Sequence, residues 1–189
     1  MKEEKYLEKA LALFKSEGVS MSMDTIAERM GVAKKTLYNN FESKDALVGR
    51  CMESVLNNLR ERLACLEEPS VPAKESFSAG IMALRGFFLE ICPVFLKEML
   101  DYYPNLASSD HDAGSAIFVE KLTCHIERGQ QDGSYRPEID ARLMSGYIAY
   151  SIFSYFRKNV MRGGDCTADH YFSQVIDFNL AALLNRKQA

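Results

Sequence analysis

The 22 residues from Met23 to Lys44 (MDTIAERMGVAKKTLYNNFESK) constrain the fold of this chain more than any other stretch. They predict a short helix, a glycine-centred turn and a second short helix. Ala27 is small enough for a close helix crossing, Gly31 tolerates the positive φ of the turn, and Leu37 points back at the first helix. This spacing predicts a helix-turn-helix. Further residues predicted on its buried side are Ile26, Met30, Val32 and Phe41.

The opposite face of the second helix is polar and basic. A braced helix pair that presents such a face is typical of proteins that place a recognition helix in the major groove of duplex DNA. Double-stranded DNA is therefore the predicted partner. The residues left exposed for it are Lys34, Lys35, Thr36, Tyr38, Asn39 and Asn40.

Charge is unevenly distributed along the chain. The net charge of −3 over 189 residues argues against a uniformly basic nucleic-acid binder. Residues 1–50 carry nine Lys/Arg and eight Asp/Glu, whereas the remainder carries 14 and 18. A weakly basic tip on an acidic body predicts contact with phosphate at one end only.

Composition and cysteine usage predict a cytoplasmic protein. The apolar fraction of 47% is ordinary for a soluble globular chain, and the N-terminal stretch is charged rather than signal-like. The longest charge-free run, Leu143–Phe156, has 14 residues, which is too short to cross a bilayer and predicts a buried helix. The cysteines are dispersed without a CxxC pair, which favours reduced thiols over disulfides or zinc, and no cofactor or metal is predicted. They are Cys51, Cys65, Cys92, Cys124 and Cys166.

Helical periodicity and helix-ending residues predict an all-α architecture with a small N-terminal bundle and a larger C-terminal one. Gly18 is placed to end the first helix as a left-handed cap, and Ser22 and Ser43 are placed as N-caps. The clearest break in the chain lies at Pro69 and Pro72. The predicted helices are Glu3–Glu17, about 23–30, 34–40, 43–63, 74–91, 94–101, 113–130, 139–160 and 168–185.

The stretch from Tyr6 to Leu47 resembles the DNA-binding domain of tetracycline-repressor-like (TetR) transcriptional regulators. The matching elements are YLEKALALF and a glycine, followed by SMDTIAERMGVAKKTLYNNFESKDAL. The resemblance implies a helix-turn-helix DNA-binding domain at residues 1–47 and a ligand-binding and dimerisation domain at 48–189. It also implies about nine helices, a homodimer paired through the last two, and a repressor released from a palindromic operator by a small effector.

Two positions depart from the family pattern. Ala33 stands where serine often caps the recognition helix, and Asn40 stands where histidine is frequent. The missing cap costs about 1 kcal/mol of helix stability. Both positions bear on which operator is read.

Individual roles follow from position within the predicted motif. Lys34 and Lys35 open the recognition helix and can reach base edges or phosphates. Tyr38 resembles the family's phosphate-contacting tyrosine, and Thr25 and Lys44 begin helices where phosphate contacts are expected. Thr36 can touch a thymine methyl, and Asn39 and Asn40 can read adenine, although a solvated surface is the plain alternative for each.

The C-terminal region is rich in methionine and aromatic residues, which suits a cavity for a flat or lipophilic effector. Ordinary core packing is the alternative for every one of these residues, and a satisfied core histidine is the alternative for His125. The helix Ser43–Leu63 is the predicted link between effector and DNA. The candidate ligand residues are Met82, Phe88, Cys92, Met99, Tyr102, Tyr103, Phe118, His125, Tyr147 and Tyr150.

Three other functions compete with this hypothesis. An enzyme would need more than the sequence pairs at Asp110–Asp112 and Asp169-His170, which lack a nucleophile or a phosphate loop. The alternative regulator is a redox sensor that switches through Cys51, Cys92 or Cys124. A helical adaptor that binds only protein is the third, and specific DNA retardation would exclude it.

Overall fold

The computed structural model describes residues 2–91, 93–103, 113–162 and 169–185, and within them the chain is all-α as predicted. These ranges contain nine α-helices, one short 3-10 helix and no strand. An isolated bridge joins Tyr135 and Leu184. The helices are α1 (Lys2–Glu17), α2 (Met23–Met30), α3 (Lys34–Asn40), α4 (Lys44–Arg62), the 3-10 helix (Leu63–Leu66), α5 (Ala73–Leu89), α6 (Pro93–Tyr102), α7 (Ala113–Gln131), α8 (Ala141–Arg162) and α9 (Asp169–Leu183).

The helix ends follow the local signals in the sequence. Gly18 follows α1 at φ +88°, and its N–H donates to the Phe14 carbonyl at 2.9 Å. The Ser22 hydroxyl accepts from the Thr25 N–H at 3.2 Å, and the Ser43 hydroxyl accepts from the Ala46 N–H at 3.0 Å. These three predicted caps are confirmed.

The described chain divides into two compact units. The first comprises the described residues within 1–57 and 90–112, and the second comprises those within 58–89 and 113–189. The division falls inside α4, after Asn57. The predicted functional boundary at residue 47 stays a prediction.

The first unit contains one apolar core built from two distant parts of the sequence. Helices α1, α2, α3 and the first half of α4 supply most of it, and α6 completes it with Phe95 and Met99, which are fully buried. Contacts between α1 and α6 are as extensive as those between α1 and α2. Other members of this core are Ala10, Phe14, Val19, Met23, Ile26, Ala27, Met30, Leu37, Phe41, Leu47, Val48 and Cys51.

The second unit is built around α5, α7 and α8, with α9 packed on α5. Its core includes a group of phenylalanines in which Phe88 stacks on Phe156 at a ring-centroid distance of 3.9 Å. Phe153 meets Phe88 edge-on at 5.3 Å and lies 6.3 Å from Phe118. Helices α7 and α8 make the most extensive helix pair of this unit.

Helix α8 differs from the prediction for Leu143–Phe156. One face is buried through Ile148 and Ile152, but Leu143, Tyr147 and Tyr150 on the opposite face are more than 60% exposed. Charge-free composition alone does not show which face of a helix is covered. Within the described ranges, no single helix has the length and apolarity to cross a membrane, and one bent pair, α5 with the start of α6, qualifies by length and composition only.

Candidate nucleic-acid interface

The turn between α2 and α3 is fixed by its glycine. Gly31 has φ +65°, and its N–H donates to the Glu28 carbonyl at 3.0 Å. The next N–H, that of Val32, donates back to the Ala27 carbonyl at 3.0 Å, which closes the C-terminus of α2. Ala27 itself is fully buried, as the predicted close crossing requires.

Helix α3 has one buried side and one solvent-facing side. Leu37 is 1% exposed and anchors the helix, while Phe41 is buried directly after it. Lys35, Tyr38 and Asn39 are exposed, and Tyr38 keeps 49% of its surface open to solvent. Thr36 and Asn40 are half-buried. The predicted helix-turn-helix therefore has its apolar side buried in the core and a polar surface open to solvent.

Two of the predicted contact residues are already engaged within the protein. The Lys34 ammonium forms an ion pair and hydrogen bond with Asp24 in the first turn of α2. The hydrogen bond to Asp24 raises the pKa of Lys34, which keeps it charged. The Asn40 side-chain amide donates to the Thr36 carbonyl at 2.6 Å.

Helix starts and ends around α3 are supported by side chains. Thr25 is half-buried in the first turn of α2, where its hydroxyl lies 2.9 Å from that of Ser22. Lys44 is the half-buried first residue of α4. The Lys9 ammonium donates to the Met30 carbonyl at 3.1 Å, so a cation lies at the negative end of the α2 dipole. Ala33, before α3, makes no side-chain cap, as predicted.

Helix α6 also holds the elements that carry this surface. The Glu98 carboxylate accepts from the N–H groups of Val19 and Ser20, the latter at 2.8 Å, in the turn between α1 and α2. The Tyr103 hydroxyl donates to the Asp45 carboxylate at 3.0 Å at the start of α4. Burial, followed by this hydrogen bond, raises the pKa of Tyr103 to about 12, so it remains a donor.

Residues 7–51 match the family described as bacterial regulatory proteins, tetR family. The N-terminal segment, about a quarter of the chain, is therefore similar to the TetR family. The matched range begins in α1 and ends in α4, so it contains the whole helix-turn-helix and parts of the two helices that flank it.

Two curated repressors are similar to this chain over most of its length. The HTH-type transcriptional repressor KstR2 of Rhodococcus jostii (strain RHA1) is 24% identical over 186 residues, covering 90% of this chain and 87% of the relative. The HTH-type transcriptional repressor DhaR of Mycobacterium sp. (strain GP1) is 27% identical over 161 residues, covering 77% and 75%. The crystal structure of a TetR transcriptional regulator from Chloroflexus aurantiacus J-10-FL has a TM-score of 0.76 at 18% identity, covering 96% of each chain. This likeness shows the fold.

The candidate ligand residues do not lie in one compact unit. Met99, Tyr102 and Tyr103 belong to the first unit, where Met99 is core and Tyr102 is 62% exposed. In the second unit Phe88, Phe118 and His125 are buried, whereas Met82, Tyr147 and Tyr150 are exposed. Cys92 lies outside the described residues. Ligand contact by any of the ten stays a prediction.

His125 is a buried residue with a complete set of polar neighbours. The Tyr135 hydroxyl donates to the Ala73 carbonyl at 2.8 Å, so the His125 Nε2, at 2.9 Å, must donate to the Tyr135 oxygen. His125 Nδ1 faces the Leu66 carbonyl at 3.0 Å and Arg128 Nη2 at 3.3 Å. Burial lowers the pKa of His125, which favours the neutral ring with Arg128 as the donor to Nδ1.

Cys51 and Cys65 are poorly placed for a redox switch. Burial raises the pKa of Cys51 to about 12, and burial also raises the pKa of half-buried Cys65. A raised pKa keeps the sulfur as an unreactive thiol. Cys124 is exposed, while Cys92 and Cys166 lie outside the described residues.

The sequence pairs considered for catalysis show no catalytic arrangement where the structure describes them. Asp169 forms an ion pair with Arg85 at 2.8 Å on the surface of the second unit, and the neighbouring His170 is exposed. Asp110, His111 and Asp112 lie outside the described residues. Across the described ranges, no group of three or more His, Cys, Asp or Glu is placed to hold a metal ion.

Sequence reasoning did not identify three residues that position the interface: Asp24, Glu98 and Lys9. Asp24 suits the positive end of the α2 dipole, but its position ten residues before Lys34 carries no periodic signal that would predict an ion pair. Glu98 lies 78 residues from Ser20, so only a pairing of distant segments could have identified it.

Proposed function

We propose that this chain is a transcriptional repressor that binds a palindromic DNA operator as a homodimer and is released by a small apolar or aromatic effector. The observation that carries the proposal is that α3 has a polar side open to solvent and an apolar side buried in the core that it shares with α2. Such a helix fits the major groove without a change in the protein's core. The names of the repressors KstR2 and DhaR support the direction of regulation.

Each predicted DNA contact has a proposed role. Lys35, Thr36, Tyr38 and Asn39 face solvent on or beside the exposed side of α3 and would read bases or hold phosphates. Thr25 and Lys44 would hold phosphates on either side of the groove, because each stands in the first turn of a helix. Lys34 and Asn40 would join them after leaving their present partners.

Dimerisation through α8 and α9 is supported by uncovered apolar side chains. Leu143, Tyr147 and Tyr150 recur at helical spacing along one face of α8, and Phe178 on α9 is 71% exposed. Gly146 lies among them with no other atom within 4 Å of where its Cβ would stand, so a partner helix could approach closely. A patch of this kind is typical of a surface covered by a second copy.

The effector would bind in the second unit beside its aromatic cluster. Phe88, Phe118, Phe153 and Phe156 offer flat apolar faces that suit a planar or lipophilic molecule. Helix α4 would transmit the effect, because residues of both compact units belong to it. Effector binding would then change the separation of the two recognition helices, which must match successive major grooves about 34–36 Å apart.

The remaining parts of the proposal follow from this role. The chain would act in the cytoplasm, on DNA, without catalysis and without a metal or cofactor. The redox-sensing regulator is the weaker candidate, because the buried thiol of Cys51 is not reactive at neutral pH.

Selection of bound duplexes from a random pool tests DNA binding and symmetry together. We expect a palindrome whose half-sites are centred one helical turn apart, or a multiple of it. Lys44→Ala should weaken binding to all duplexes alike and reduce the slope of log affinity against log salt by about 1. Enrichment of no sequence, with no retardation of any duplex at low salt, would refute the proposal.

The double variant Leu143→Glu with Tyr150→Glu tests the homodimer. We expect monomers in sedimentation equilibrium, because two charges on each copy would be buried unpaired in the interface. Met82→Glu, which places a charge on an exposed apolar position of α5, is the matched control and should remain dimeric. Dimers that persist in the double variant would place the interface elsewhere.

A further inference from the structure

The two adjacent lysines at the start of α3 have different electrostatic surroundings. Lys34 is paired with the Asp24 carboxylate, and the two side chains are 64% and 52% exposed. Lys35 is exposed and has no carboxylate partner among the described residues. Lys34 therefore reaches the DNA-facing surface as half of a neutral pair, whereas Lys35 reaches it as an unpaired cation.

The Asp24–Lys34 pair also compensates for a local weakness of α3. Ala33 provides no side-chain cap, and a lysine at the first position of a helix places a cation at the positive end of the helix dipole. Asp24 supplies the missing negative charge from the neighbouring helix. The main cause of the raised pKa of Lys34 is its hydrogen bond to Asp24.

The consequence for DNA binding follows from charge counting, whichever partner Lys34 takes. An exposed ion pair is weak, so a phosphate can compete for Lys34. If Lys34 leaves Asp24 for a phosphate, the carboxylate is left unneutralised beside the charged backbone. If Lys34 stays, it neutralises no phosphate. In both cases the Asp24–Lys34 pair accounts for the release of close to zero counterions, whereas Lys35 accounts for about one.

We infer that Asp24 cancels Lys34 at the DNA-facing surface and thereby weakens the sequence-independent part of DNA binding. The inference rests on the proposed function, since it concerns how a DNA-binding surface is tuned. A weak hold on phosphate leaves more of the affinity to contacts with bases. It also leaves less affinity for an effector to overcome.

Salt-dependent affinity for a random-sequence duplex tests this inference directly. Asp24→Asn should steepen the slope of log affinity against log salt by about 1 and tighten binding about 5- to 10-fold near 0.1 M salt. The double variant Asp24→Asn with Lys34→Ala should return to the wild-type slope, because it removes a neutral pair. Lys35→Ala should reduce the slope by about 1.

Glu28→Gln is the matched control, because it removes one negative charge from the same helix without removing a hydrogen bond to Lys34. Its slope should stay within about 0.3 of wild type. An equal effect of Asp24→Asn and Glu28→Gln, or an Asp24→Asn effect that persists without Lys34, would overturn the inference. So would an unchanged slope in Asp24→Asn.

Failure of the inference is distinguishable from failure of the proposed function. If the wild-type protein binds no duplex, the proposed function fails and the inference fails with it. If the wild type binds and Asp24→Asn changes nothing, only the inference fails. Thermal unfolding of each variant identifies any loss of binding that is caused by a loss of fold. Misfolding cannot imitate the expected result for Asp24→Asn, because that variant is expected to bind DNA more tightly.

Discussion

The two compact units of this chain are stabilised in different ways. In the first unit, polar bonds lie at the edge of the core and hold backbone turns, as Glu98 does for Val19 and Ser20. In the second unit, the main polar network is buried and joins His125 and Tyr135 to the Ala73 carbonyl. The first arrangement fixes where helices point, and the second fixes how helices pack. Loss of the Glu98 bonds should alter the recognition surface before it disturbs the core of the first unit. Loss of the buried His125–Tyr135 network should directly lower the free energy of unfolding.

The largest expected effect is the loss of folding in a fragment of residues 1–57. The fragment lacks α6, so Phe95 and Met99 no longer cover α1, and the bonds from Glu98 and Tyr103 are absent. Burial of large apolar side chains contributes about 2–5 kcal/mol each, a large share of a small domain's stability. We expect no cooperative transition in circular dichroism, while the full chain shows one. A cooperatively folded fragment would show that the first unit does not depend on α6.

The next effect is that of Gly18→Ala, which combines strain with a collision. Gly18 has φ +88°, and a Cβ built there would overlap the Glu98 carboxylate. We expect a loss of about 3 kcal/mol in urea unfolding, from backbone strain and the weakened bonds to the turn. Gly31→Ala is the matched control, because it has φ +65° with open space around its Cβ position and should cost only about 1 kcal/mol. Equal losses would mean that the Glu98 contact contributes little.

Tyr135→Phe probes the buried network of the second unit. The ring would still fill its site, but the Ala73 carbonyl would lose its donor and His125 Nε2 its acceptor. We expect a loss of about 2 kcal/mol in the free energy of unfolding, because buried groups left unpaired keep their desolvation cost. Tyr102→Phe removes a hydroxyl from an exposed residue outside the proposed dimer face and should change stability by less than about 0.5 kcal/mol. Similar values for the two variants would contradict the importance of the network.

The smallest effect is a pH dependence of stability that originates at His125. Its pKa is lowered in the folded protein, so below about pH 6.5 the unfolded chain binds a proton that the native ring resists. The stability contribution is complete above the unfolded pKa and is lost as the pH falls toward the folded pKa. Urea unfolding between about pH 7.5 and pH 5 should show this decline in the wild type and a shallower one in His125→Gln. His170→Gln, at an exposed position, should keep the wild-type decline.

Much of the fold was predictable because its signals are local. Gly18, Ser22 and Ser43 act on backbone groups within four residues, and the buried residues of the helix-turn-helix lie within one short stretch. The predicted α3, Lys34–Asn40, agrees with the structure residue for residue. Other helix ends differ by a few residues, as at α8, which begins at Ala141 rather than 139.

The rest was not predictable because it depends on contacts between distant segments. The periodicity of α6 predicts an apolar face but does not indicate whether that face covers α1 or the second unit. The candidate ligand residues follow from composition alone, which does not distinguish buried Phe118 from exposed Tyr150. The Asp24–Lys34 pair depends on rotamers of two exposed side chains, and no residue pattern encodes it.

The participation of α6 in the core of the first unit bears on how hybrid regulators are made. A chimera that joins the first 57 residues of this protein to another effector domain would lack Phe95 and Met99, which complete the core of the first unit. The acceptor's own helix would have to match Ala10 and Phe14 in shape and supply a carboxylate for the turn after Gly18. A graft should therefore carry residues 1–57 together with α6. Such a graft should keep its DNA specificity, whereas a graft of residues 1–57 alone should lose it.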